Sequence, residues 1–65
     1  MSDQTVTSSD RERRIAEAVR AACVAVAQET YERAAADGLC DEGAWEAAID
    51  AIRSLNIATI VRATP

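Results

Sequence analysis

Apolar positions recur along this chain in two helical blocks separated by a short punctuated stretch. From Asp10 to Asp37 there is no glycine or proline, and the run is dense in alanine, glutamate and arginine, all strong helix formers. Ile15, Val19, Cys23, Val26 and Thr30 return at intervals of three and four and form one stripe. Val24, Ala27 and Tyr31 form a second, displaced by about a third of a turn. Ala18, Ala22 and Ala25 widen the first stripe, leaving a narrow polar strip with Arg14, Glu17, Gln28 and Glu32. The pattern predicts a helix over residues 10–37, roughly 40 Å long at 1.5 Å per residue. Ser9 and Glu12 fit a capping box at its start, and Asp10 and Glu12 complement the helix dipole. An apolar arc this wide exceeds what one partner helix covers, which points to an assembly larger than a single hairpin.

The break falls at residues 38–41, Gly-Leu-Cys-Asp. Gly38 suits the left-handed residue that closes a helix, and Leu39 suits the apolar contact of a Schellman motif back onto Ala34. Asp41 is the expected N-cap of a second helix over residues 42–55, with Cys40 and Trp45 as its hydrophobic staple. In that helix Trp45, Ala48, Ile49, Ile52 and Leu55 form a single stripe, expected to face the first helix. Tyr31 and Trp45 lie at comparable distances from the turn and are expected to pack together as the anchor of the hairpin. Residues 57–62 are ambiguous. Their β-branched side chains favour a strand, but no other strand exists to pair with them. Continued helix would turn Ile57, Ile60 and Val61 away from the Trp45 stripe. A break at Asn56 is therefore expected, followed by a short third helix or an extended tail lying on a neighbouring subunit.

The reading is thus all-α: an antiparallel helical hairpin with two main helices and a short C-terminal third segment, assembled as a dimeric four-helix bundle. Residues 1–8 are polar and without period and read as a disordered tail, leaving residues 9–65 as one hairpin domain. Size supports the assembly. A chain of 65 residues in which much of the 49% hydrophobic content is alanine has few large side chains from which to build a core of its own.

Eleven acidic against seven basic residues give a net charge of −4, with every base an arginine and no histidine. That balance disfavours generic binding to nucleic acid or to an anionic membrane. No apolar span reaches membrane-crossing length, and the N-terminus lacks the basic and apolar regions of a signal peptide, so a cytoplasmic location is expected. Cys23 and Cys40 are too few and too separated for a disulfide framework.

Chemistry finds little footing. Without histidine, two isolated cysteines cannot build a four-ligand metal site, and neither a di-iron nor a calcium-loop spacing occurs. A hydroxyl or thiol nucleophile would have only a carboxylate as its base. No catalytic, metal or cofactor residue is assigned, and the protein is expected not to be an enzyme. Cys40 lies near a helix N-terminus, which favours a thiolate, and is the candidate for redox reactivity. Arg11, Arg13, Arg14 and Arg20 form the one basic cluster, interleaved with Asp10, Glu12 and Glu17.

The function expected is a non-enzymatic interaction module or small accessory subunit that homo-oligomerises or docks on a larger protein. The interface candidates are Ile15, Val19, Val26, Tyr31, Trp45, Ile52, Ile57 and Ile60. One alternative is a small regulatory protein contacting nucleic acid, or a nucleic-acid-binding partner, through the four arginines. Another is a helical small-ligand binder with a pocket near Tyr31 and Trp45.

Overall fold

The computed structural model describes residues 9–65, which form three helices with no strand among them. The expected tail over residues 1–8 lies outside the described residues. Helix α1 spans Asp10–Ala36, α2 spans Asp41–Arg53 and α3 spans Ile57–Ala63.

The start of α1 is fixed locally. The Glu12 N–H donates to Ser9 Oγ at 3.0 Å, and the Ser9 N–H donates to Glu12 Oε1 at 2.8 Å, so two otherwise orphaned donors are satisfied by each other's side chains. Its end is equally local, and Asp37 serves as the C-cap where the sequence pattern put the last helical residue. The Leu39 N–H donates to the Ala34 carbonyl and the Gly38 N–H to the Ala35 carbonyl, both at 3.0 Å, which is the paired bonding of a Schellman motif. Gly38 has φ +97°, a conformation that a Cβ would strain.

Helix α2 begins one residue earlier than expected and ends sooner, with Ser54 as its C-cap and Leu55 beyond it. Cys40, not Asp41, is the N-cap: its Sγ accepts from the Gly43 N–H at 3.4 Å, and its carbonyl accepts from the Ala44 N–H at 2.9 Å. Asp41 is thereby freed to accept a hydrogen bond from the Tyr31 hydroxyl at 3.3 Å while its charge still sits in the first turn. The Cys40–Trp45 staple does not form, since Cys40 occupies the cap. Leu39 fills the flanking position instead, and a Cβ on Gly43 would lie 3.6 Å from its Cδ2.

The larger correction is a rotation of α2 by about a quarter turn, with Ala48 of the expected stripe still in the seam. The buried residues of the described chain are Ala34, Ala44 and Ala48, at 8%, 0% and 4% exposure, and Ala47 and Ala51 are half-buried. Trp45 is 60% exposed and therefore no part of a core with Tyr31. The reason is steric. Alanines at 44, 47, 48 and 51 let the two backbones approach closely, and an indole in that seam would hold them apart.

Helix α3 resolves the ambiguity of the C-terminal segment in favour of helix. Asn56 Oδ1 accepts from the Thr59 N–H at 3.0 Å, so a cap restarts the helix after the break that the stripe misalignment required. Thr64 Oγ1 donates to the Ile60 carbonyl at 2.8 Å, and the Arg14 guanidinium donates to the Pro65 carbonyl at 3.2 Å. Thus α2 returns along the C-terminal half of α1, and α3 packs along its N-terminal half. The Cα trace extends over 46 × 29 × 14 Å, and among the described residues α2 and α3 each pack on α1 and not on one another.

Candidate interaction surface

With α2 and α3 packed only on α1, several large apolar side chains stay open to solvent. Val24 is 51% exposed, Leu39 47%, Trp45 60% and Ile57 46%. The other interface candidates, Ile15, Val19, Val26, Tyr31, Ile52 and Ile60, are half-buried. Among the described residues no large side chain is fully buried. Elements of a stable domain ordinarily bury an apolar face against a neighbour, and here α2 and α3 each cover only part of α1.

Tyr31 and Trp45 do meet, but across an open groove and not inside a core. With Ala27, Gln28, Glu32 and Ala48 they line a depression of about 240 Å³ between α1 and α2. The Asp41 carboxylate beside Tyr31 opposes ionisation of the phenol and pushes its pKa above the ordinary value; desolvation and the hydrogen bond act in the same direction. On the outer side of α2, Trp45 and Arg53 bound a second hollow of about 390 Å³ lined also by Glu46, Ile49 and Asp50. Arg53 is held by Asp50 at 3.2 Å, one of two ion pairs among the described residues, the other being Glu17–Arg20 at 3.5 Å.

The four candidate docking arginines are not brought onto one face. At about 100° per residue, Arg13 and Arg20 share one side of α1, while Arg11 and Arg14 project from other sides. Arg14 is tied to Pro65, and with Arg13 and Glu17 it lines a groove of about 630 Å³ against Ala63–Pro65. Arg20 is paired with Glu17. Cys40 is an exposed free thiol whose sulfur serves as a helix cap, and Cys23 is free and half-buried. Among the described residues no group of three or more histidine, cysteine, aspartate or glutamate side chains converges on a common point, and no helix is long and apolar enough to cross a membrane.

Two features of this surface are missing from the sequence reading. One is the alanine seam of α2, whose signal was the spacing of Ala44, Ala47, Ala48 and Ala51. The other is Arg53, whose position one turn beyond Ile49 makes it a wall of the outer hollow. Compared with known proteins, the chain matches no family model, no curated protein and no solved structure.

Proposed function

We propose that this protein is a non-enzymatic interaction module whose exposed α1–α2 face is covered by another protein surface, in the first instance a second copy of itself. The observation that carries this reading is the pairing of a 60% exposed Trp45 with an interior made of three alanines. Tryptophan on an open apolar face is favoured at the centre of protein interfaces, where its burial contributes most. A second protein surface would also supply the apolar burial that an interior of small residues lacks. Docking as an accessory subunit on a larger protein would use the same face. Both cysteines are free thiols, which fits a reducing, cytoplasmic setting.

The small-ligand alternative has the groove between Tyr31 and Trp45 in its favour, but about 240 Å³ of open depression is below the range of roughly 300–1,000 Å³ usual for ligand pockets. The nucleic-acid alternative is weakened by the scatter of its arginines around α1 and by the engagement of Arg20 with Glu17 and of Arg14 with Pro65.

Light scattering on the purified chain tests the leading reading. The expected mass is twice the 6.9 kDa of one chain. Trp45→Glu should leave the helical circular dichroism intact and return the mass to that of a monomer. A wild-type chain that stays folded and monomeric at high micromolar concentration refutes self-association.

A further inference from the structure

The groove between Tyr31 and Trp45 has a chemistry of its own. Its walls are two aromatic rings, one from each helix, with Ala27, Ala48, Gln28 and Glu32, so the one charged residue lining it is a carboxylate. The Tyr31 hydroxyl donates to Asp41 at 3.3 Å, which ties the phenol to the turn end of the hairpin and sets a second carboxylate beside it. The charge of Asp41 is also the first cause of the raised Tyr31 pKa, so the field at this ring is negative.

The surroundings carry the same sign. Residues 29–50 hold seven acidic side chains against one basic, Arg33, whereas residues 9–28 hold three acids and four arginines. Arg33 follows Tyr31 by two positions, about 200° around α1, and does not line the groove. Arg53 lies about two turns beyond Trp45 and is held by Asp50 at 3.2 Å. Aromatic walls inside a negative field favour a cation, and among cationic side chains arginine suits them best. Its planar guanidinium stacks on aromatic faces, is more weakly hydrated than an ammonium, and offers a fork of donors to a carboxylate. A depression of about 240 Å³ falls short of the usual pocket for a whole small molecule but has room for one inserted side chain. A second copy of this chain would bring the same net charge of −4, so charge favours a basic partner of another kind.

We infer that the Tyr31–Trp45 groove receives an arginine side chain from a basic surface of another protein, its guanidinium stacked on the aromatic walls and paired with Glu32. This rests on the reading of the α1–α2 face as one that a protein covers, and it specifies the chemistry of that reading in its docking form.

Trp45 is the chain's one tryptophan, so its fluorescence reports occupation of the groove. The probes are a short peptide in which arginine alternates with alanine, and the same peptide with lysine or with citrulline, the uncharged isostere of arginine. At matched ionic strength the arginine peptide should shift the emission saturably. It should bind about threefold more tightly than the lysine peptide and about tenfold more tightly than the citrulline peptide. Glu32→Gln should weaken the arginine peptide about fivefold, and Glu29→Gln, which removes the same charge outside the groove, less than about twofold. Both glutamates are exposed, so the fold tolerates either substitution. Equal binding of the arginine and lysine peptides, or equal losses from the two substitutions, would reduce the effect to diffuse charge and overturn the groove. Light scattering on the same samples separates this result from self-association. A dimer that ignores the arginine peptide overturns the groove alone, and a monomer that binds it upholds the groove and overturns self-association alone. A monomer that ignores it overturns both. A dimer that the arginine peptide dissociates would make the occupant a second copy and overturn the separate partner.

Discussion

The two halves of α1 are covered in different ways. Over its C-terminal half, α2 packs through alanines so closely that Ala44 is wholly buried. Over its N-terminal half, α3 contributes isoleucine and valine and yet buries no residue fully. The half with the smaller side chains has the tighter contact. Close approach between helices depends on what the seam excludes, and α2 keeps its large residues off the seam. Helix α3 is seven residues long, too short to be stable by itself, and is held by its Asn56 cap, by the Thr64 hydroxyl and by Arg14 at the chain end.

The largest expected effect comes from breaking the tight half. Ala44→Leu places a branched side chain in a fully buried seam and should destabilise by about 1–3 kcal/mol. In a domain this small that corresponds to a fall in Tm of roughly 4–8 °C per kcal/mol, read by thermal circular dichroism. An unchanged melt would show that α2 presents some other face to α1.

Next come the two glycines at the turn, which should respond in opposite directions. Gly38 has open space around its Cβ position but a φ of +97°, so Gly38→Ala should cost about 1–2 kcal/mol through backbone strain alone. Gly43 lies in ordinary helix, and an added Cβ would make van der Waals contact with Leu39 and Cys40 at 3.6 and 3.7 Å. Gly43→Ala should therefore stabilise by about 0.5 kcal/mol. Denaturant midpoints of the two variants shifting in the same direction would mean that the turn is misread.

The loose half should answer locally. Asn56→Ala removes the acceptor for the Thr59 N–H and should abolish hydrogen-exchange protection over residues 57–63. Amides of α1 near Ala34 and of α2 should keep their protection. Global loss of protection would instead make α3 part of the same cooperative unit as the hairpin.

The smallest effect is a titration. Tyr31 is the chain's one tyrosine, so tyrosinate absorbance reports it alone. Its folded pKa is raised above the unfolded value, first by the Asp41 charge. The native state holds that proton more tightly, so the contribution to stability is complete below the ordinary tyrosine range and is lost as pH rises through the elevated value. Asp41→Asn should move the midpoint back toward the ordinary value near 10. A midpoint that does not respond to the substitution would remove Asp41 as the cause.

What the amino-acid sequence determined by itself is the local punctuation. The Ser9–Glu12 box, the Gly38–Leu39 stop and the break at Asn56 each depend on residues within a few positions of one another, and each forms as the order of residue types dictates. Its two errors at the turn, the choice of cap and the staple that followed from it, arose from a single-residue shift in where α2 starts. The expected α2 stripe is rotated rather than lost: Ala48 is buried and Ile49, Ile52 and Leu55 are half-buried, while Trp45 is exposed. Trp45, Ile49 and Ile52 are the most apolar line on α2, and periodicity alone sends that line inward. Only the packing of two helices decides that a line of alanines makes the closer seam. That choice turned Trp45 outward, set Tyr31 beside Asp41 and opened the hollow before Arg53. The candidate surface was legible as a set of residues, but its exposure was not, because exposure is a property of which faces meet.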